Sequence, residues 1–315
     1  MEKLLSRVLE GEASKESAVV RNILRKRELL ASGDKDHQDI KTALIIGGGG
    51  VRGAFGAGVG LGLEQAGLRD AFDVAIGVSA GAADIAYLLS GQIELGSTLW
   101  YDDCASRRFI NLALLTRILD MDYAADQLMR VVKPLDQDAI TACRSEFYVG
   151  VTNAQTGEGE LIDAKDGVDV VTAIHASTAL PVVYNRTVNI NGTEYGDGSI
   201  GAGIPIEAAI QKGCTDVLVV LNDVVDERVN SATLFEKILV SIYMRKFTPE
   251  LRAATLARHG QLYRAFEGIE NSGCNINIGI IAPSRMPISR ISIDSQAIYD
   301  LTMDGKDIAL ELFSN

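Results

Sequence analysis

Thr42-Ala43-Leu44-Ile45-Ile46-Gly47-Gly48-Gly49-Gly50-Val51-Arg52-Gly53 joins an apolar run to four consecutive glycines, and Asp73-Val74-Ala75-Ile76 runs in the same way into Gly77-Val78-Ser79-Ala80-Gly81. Each stretch reads as a strand that ends in a tight, glycine-permitted turn and opens a helix. Two such units in succession give a βαβα order, and hence a parallel sheet. The second turn has the G-x-S-x-G spacing of a nucleophile elbow, in which flanking glycines let a strained turn lift the Ser79 hydroxyl clear of the backbone. The first can supply a row of unobstructed backbone N–H groups. A serine nucleophile beside an oxyanion-binding loop is what acyl transfer needs most.

Working outward, residues 1–40 are expected as an N-terminal helical extension and linker. Leu4, Leu5, Val8, Leu9, Val19, Val20, Ile23 and Leu24 recur at roughly helical spacing, which predicts one or two helices packed outside the core, followed by a polar linker from Ala31 to Asp39. Residues 41–222 are the expected catalytic core, and 223–315 a C-terminal helical region of the same domain. Within the core the stretch from Ile93 to Leu135 reads as largely helical. Two hairpins follow, Glu146–Val151 with Gly159–Ile162, and Arg186–Ile190 with Thr193–Tyr195. The second turns at Asn191-Gly192, a strong hairpin signal, and delivers the chain to Asp197. Asp216 to Leu221 is a continuous apolar strand of the buried parallel kind, preceded by a helix around Pro205–Lys212. Asn275–Ala282 is expected as a last core strand, and 294–313 as a closing helix capped by Asp294. The expected fold class is a three-layer α/β/α arrangement around a largely parallel central sheet.

The chain has 315 residues, 47% hydrophobic and 23% charged, an ordinary globular balance that excludes disorder and coiled coil. A formal charge of -12 argues against nucleic-acid partners and against broad attraction to anionic membranes, while leaving room for local basic surface. The four cysteines, Cys104, Cys143, Cys214 and Cys274, have no metal-ligand spacing, and the first residues lack the apolar stretch of a signal peptide, so a reducing cytoplasm is the expected compartment. The weakly polar run Val74–Ser90 is too short and too interrupted to span a bilayer.

Each motif has a rival reading. Gly48 to Gly53 also satisfies G-x-G-x-x-G, the dinucleotide fingerprint, which makes a nucleotide-binding module an alternative. That fingerprint wants an acidic residue at the end of the second strand, where this chain has Gly77-Val78-Ser79. Gly56, Gly58, Gly60 and Gly62 are explained well enough by close helix–strand packing. A histidine triad would have to use His175, whose surroundings suggest helix packing or capping, or His259, in a charged stretch that reads as a solvated surface helix. Asp197, in Tyr195-Gly196-Asp197-Gly198-Ser199, taken alone is a turn former.

The conjunction of motifs resembles the patatin-like phospholipases, acyl hydrolases that use a Ser-Asp dyad. The family's G-G-G-x-R-G block is matched by Gly48 to Gly53, its G-x-S-x-G by Gly77 to Gly81, and its A-S-x-A-x-P by Ala176-Ser177-Thr178-Ala179-Leu180-Pro181. Its D-G-G or D-G-A motif is met by Asp197-Gly198-Ser199, followed at the usual distance by Pro205. Ser199 stands where the family has Gly or Ala, and Ala202 and Gly203 stand where an asparagine is frequent. The resemblance covers residues 42 to 222 and implies a patatin-like fold.

It further implies that Ser79 is the nucleophile, Asp197 its base, and Gly48, Gly49 and Gly50 the oxyanion donors. Arg52 is a supporting residue with two open readings, a loop-fixing or field-supplying role and a plain ion pair with a carboxylate. No cofactor and no metal are asked for. The implied substrate is a lipid or other acyl ester, with a non-catalytic or regulatory member as the alternative to an enzyme. An acyl channel would need apolar walls, and Leu88, Leu89, Leu112, Leu114 and Leu115 are read instead as ordinary core. The stretch 242–266 carries Arg245, Lys246, Arg252, Arg258 and Arg264 among Tyr243, Met244, Phe247, Leu256 and Leu262. It is read as a solvated face over a buried stripe, with peripheral membrane contact as the alternative.

Overall fold

The structure, a computed structural model, describes residues 14–114, 117–225, 232–260, 265 and 276–313. The two apolar runs are β1 (Thr42–Ile46) and β2 (Val74–Val78), paired in parallel with Ala43 opposite Val74. β3 (Glu146–Asn153) extends the parallel sheet beyond β2, and β7 (Asp216–Val220) and β8 (Asn277–Ile281) extend it beyond β1. β4 (Gly159–Asp163), β5 (Val188–Ile190) and β6 (Thr193–Asp197) form the antiparallel end, giving an 8-stranded sheet of order β5-β6-β3-β2-β1-β7-β8 with β4 paired to β3.

Both hairpins and the parallel strands lie where their sequence patterns predict. β1, β2 and β7 read as unbroken apolar runs because helices cover both faces of the sheet. Leu44, Ile46 and Val220 point into one core and Ala43, Ile45 and Val219 into the other. The first core packs against α1 (Ala18–Ser32), α2 (Gly53–Gln65) and α3 (Ala80–Leu89). α4 (Ile93–Thr98), which runs on as a wider π-wound turn to Cys104, also joins it, with the π-wound α5 (Tyr123–Val132), α6 (Gln137–Ala142) and α7 (Val170–Thr178). After the one-turn α8 (Gly198–Gly201), α9 (Ile206–Gln211) covers the second core. α10 (Leu234–Tyr243) and α11 (Pro249–Ala257) follow β7, and α12 (Ser295–Phe313) closes the chain with the Asp294 carboxylate accepting the Ala297 N–H at 3.1 Å.

The structure corrects several expectations. α1 is part of the core and not outside it: Val19, Val20 and Ile23 are buried in the main cluster, and the buried Lys26 ammonium donates to Asp73 and to the Ile40 carbonyl. An amphipathic stripe whose one inward amine is paired with a carboxylate has no reason to stay at the surface. The expected apolar positions 4, 5, 8 and 9 lie outside the described residues, as do Cys274, Leu115, Leu262 and Arg264. The span 93–135 is interrupted: residues 105–114 and 117–120 are irregular, with an Ile110–Leu119 bridge between them, and helical winding resumes at 121. The glycines of α2 serve helix–helix contact as well as helix–strand contact, since a β-carbon on Gly58 would fall 1.9 Å from the Thr302 carbonyl oxygen of α12. Among the described residues no helix is long and apolar enough to cross a membrane.

Candidate active site

Sheet register brings the two predicted side chains together. β3 outlasts β2 by three residues: the β2 pairing ends at Val78 opposite Gly150, while β6 pairs with Val151 to Asn153 along the same edge. β6 runs antiparallel and ends at Asp197 opposite Val151. The ends of β2 and β6 therefore meet head to head on neighbouring residues of β3. Ser79 follows immediately after Val78, and its hydroxyl donates to Asp197 Oδ2 at 3.0 Å.

The elbow carries the strain that its glycines allow. Ser79 has φ 53° and ψ -125°, and β-carbons on Gly77 or Gly81 would lie 2.4 Å from the Ala82 α-carbon and 2.2 Å from the Ile46 carbonyl oxygen. Ser177 holds the turn from behind, accepting the Ser79 N–H at 2.7 Å and donating to the Gly150 carbonyl at 2.6 Å. The glycine loop packs against the other side of Ser79. A β-carbon on Gly48 would sit 3.0 Å from the Ser79 β-carbon and 3.6 Å from its Oγ, so only glycine leaves that space open. Among the described residues, none accepts a hydrogen bond from the N–H groups of Gly48, Gly49 and Gly50, whereas those of Gly47 and Val51 are bound to Val220 and Arg290 carbonyls.

Asn222, just past β7, braces this loop: its amide donates to the Gly47 carbonyl at 2.8 Å and accepts the Gly56 N–H at 2.8 Å. Arg52 turns to the far side of the loop. Its guanidinium pairs with Asp223 at 2.6 Å and donates to the Ile288 carbonyl at 3.0 Å, and Asp223 is shared with Arg290 at 3.0 Å. Of its two readings the ion pair is present, and it ties the loop to the segment before α12.

Burial pushes the Asp197 carboxyl above its usual range, against the opposing effects of the Ser199 N–H and hydroxyl, the Ser79 hydroxyl and the charge of Arg258. The Ser199 N–H, which any residue there would supply, donates to Oδ1 at 2.8 Å, and the Ser199 hydroxyl is the donor that the departure from the family pattern adds. Burial also holds the neighbouring Asp84 well above the carboxylate range, with Trp100 Nε1 donating to it at 2.9 Å.

The site opens into a cavity of about 610 Å³ at the carboxyl ends of β1, β2 and β7, the point where the strand order reverses. Phe109, Leu119, Met121, Leu180, Val182 and Val183 form its apolar wall, and Arg258, His259 and Arg290 reach it from the C-terminal region. Of the leucines considered for an acyl channel, Leu88, Leu89, Leu112 and Leu114 do not line the cavity. Leu88 and Leu89 are core, as expected, but Leu112 and Leu114 are exposed, in contrast to the core reading. His175 does not line the cavity; it is partly buried, with Nε2 3.0 Å from the Tyr184 hydroxyl, and burial lowers its pKa. His259 is not a solvated surface group: it lines the cavity with Nε2 3.4 Å from Glu236. Ser177 was legible as part of a motif without a role, and Asn222 only as the residue after an apolar strand. Arg258 is legible only as one cation of the 242–266 stretch, and Arg290 carries no local signal.

Residues 44–210 match the sequence model of the patatin-like phospholipases. A relative from Escherichia coli (strain K12), the uncharacterized protein YjjU, is 27% identical over 195 residues, covering 57% of this chain. That alignment takes in 51% of YjjU, so this chain spans about half the length of that relative. Among solved structures, VipD from Legionella pneumophila aligns with a TM-score of 0.45 and 16% identity over 85% of this chain and 67% of VipD. The type III effector protein ExoU aligns with a TM-score of 0.31 and 16% identity over 73% of this chain and 53% of its own.

Proposed function

Because the chain belongs to the patatin-like phospholipase family, we propose that it is a serine acyl hydrolase that cleaves ester bonds of lipids through Ser79 and Asp197. The observation that carries this reading is the 3.0 Å hydrogen bond from the Ser79 hydroxyl to Asp197 Oδ2 at the floor of a largely apolar cavity. In the first step Ser79 Oγ attacks the ester carbonyl carbon and its proton passes to Asp197. The carbonyl oxygen becomes an oxyanion, received by N–H groups of Gly48, Gly49 and Gly50, where one aligned donor is worth ~3 kcal/mol to the transition state. Collapse of the tetrahedral intermediate breaks the ester C–O bond, and the alcohol leaves with the proton from Asp197. Water then attacks the acyl-enzyme, gives its proton to Asp197 and releases the carboxylic acid as that proton returns to Ser79.

Two features support an acyl ester of a lipid over a small polar ester. The wall from Phe109 to Val183 offers apolar surface to a chain, and Arg258 and Arg290 place guanidinium groups beside the same cavity, suited to an anionic headgroup. A panel of short p-nitrophenyl esters, lysophospholipids and diacyl phospholipids tests the reading. Turnover of at least one class that is lost in Ser79→Ala is the expected result; a well-folded wild type that cleaves none of them contradicts it.

A further inference from the structure

Two exposed apolar elements flank the cavity. The loop that contributes Phe109 and Leu119 to the wall carries Leu112 and Leu114 at its tip, 62% and 51% exposed. α10 presents Leu234, Ile238 and Ile242, spaced by four residues along one face and 76%, 47% and 50% exposed. Its opposite face is buried: Val240 and Met244 share an apolar cluster with Leu180 and Val182 of the cavity wall. The wall segment links the two elements directly. The Leu119 N–H donates to the Val183 carbonyl at 3.2 Å, and Lys246 Nζ donates to the Asn185 carbonyl at 2.6 Å. A stripe of large apolar side chains on the outer face of a helix departs from the polar outer face usual for a surface helix.

Charge identifies the occupant. Arg108 pairs with Asp120, and Arg117 with Asp120 and Asp122, whereas Arg107 on the same loop and Lys237, Arg245 and Lys246 on and just after α10 have no carboxylate partner among the described residues. Arg186 of the intervening wall segment is paired with Asp122 at 3.1 Å. In a chain with a formal charge of -12, cations without a carboxylate partner on or next to the elements that expose leucine and isoleucine beside the cavity match an anionic lipid surface, which takes up apolar side chains and attracts Lys and Arg. We propose that the tip of the 111–114 loop and the outer face of α10 seat the protein on an anionic bilayer, with the cavity between them facing the lipid. The acyl chain then enters its apolar wall without crossing water. This deepens, and rests on, the lipid hydrolase reading.

Flotation of the full-length protein with vesicles of diether phosphatidylcholine, with and without about 30 mol% diether phosphatidylglycerol, tests the inference on lipids that have no ester to cleave. Wild type is expected to float with the anionic vesicles and to be released by about 0.5 M salt. Leu112→Gln/Leu114→Gln and Ile238→Gln/Ile242→Gln are each expected to weaken partitioning by roughly tenfold or more, with thermal melting unchanged. Val131→Gln/Val132→Gln, exposed apolar residues at the end of α5, should bind as wild type. Binding indifferent to both flanking pairs, equal loss in the α5 pair, or no binding at all overturns the proposal. So does a wild-type dimer that either flanking pair converts to monomer, because a second copy would then cover the face. Docking without any esterase turnover overturns the hydrolase reading alone, and turnover without docking overturns this inference alone.

Discussion

Ser177 stands directly behind Ser79, its hydroxyl bridging the Ser79 N–H at 2.7 Å and the Gly150 carbonyl at 2.6 Å. One buried hydroxyl thus fixes the elbow to β3, the strand whose register also places Asp197. Ser177→Ala leaves a buried donor and a buried acceptor unmet, which costs about 1–3 kcal/mol of stability. Because the nucleophile loses its brace, kcat should fall while KM changes little. Denaturant unfolding and steady-state kinetics on a soluble ester check both effects, and an unchanged pair of values contradicts the bracing role.

The positive φ of Ser79 separates strain from chemistry. Ser79→Ala keeps the strained backbone and Ser79→Gly relaxes it, so the glycine variant should be the more stable of the two by about 1 kcal/mol after its larger unfolded-state entropy is counted. Both should be inactive. Equal melting temperatures would mean that the turn is not strained in solution.

At Gly48 an added methyl meets the Ser79 β-carbon at 3.0 Å, a contact that a small shift relieves. Gly48→Ala should therefore fold, with at most about 1–2 kcal/mol lost to overpacking. The methyl would occupy space beside the reacting oxygen, so kcat should drop by roughly a hundredfold or more, with a smaller change in KM. A variant with wild-type kcat would show that the loop is scaffolding only.

The parts of this molecule legible from sequence are those whose chemistry is local. β1, β2 and β7 announce themselves as apolar runs, Asn191-Gly192 as a hairpin turn with φ 50° and 91°, and the elbow by its glycines. The pairing of Ser79 with Asp197 depends on β3 being three residues longer than the β2 pairing, a fact of register that no single segment carries. The same holds for the cavity. Arg258, His259 and Arg290 reach it from the C-terminal region by tertiary packing, and a charged stretch such as 252–258 looks like surface until its neighbours are known. The irregular residues 105–114 and 117–120 defeat helical periodicity because Phe109 and Leu119 line the cavity while Leu112 and Leu114 are exposed.

Asp197 sets the expected pH dependence. As the base it must be ionised, and burial raises its pKa, so kcat/KM should rise with pH through one ionisation above the ~3.9 reference and then level off. Ser199→Ala removes a hydroxyl that favours the charged form, so the acid limb should move to higher pH. For stability the sign is opposite. A folded pKa above the unfolded one contributes stability that is present below the unfolded pKa and lost as pH rises through the folded pKa. Asp197→Asn should therefore be inactive yet at least as stable as wild type at neutral pH. An acid limb unmoved in Ser199→Ala, or one that tracks a histidine by NMR titration, contradicts this assignment.

Covalent labelling tests the central claim most directly. A fluorophosphonate reacts only with a serine whose proton has an acceptor and whose oxyanion has donors, so wild type treated with one and mapped by peptide mass should carry a single adduct on the peptide containing Ser79. Asp197→Asn should label far more slowly and Ser79→Ala not at all. An adduct on another residue, no adduct in a well-folded wild type, or labelling of Asp197→Asn at the wild-type rate would contradict the Ser79–Asp197 account.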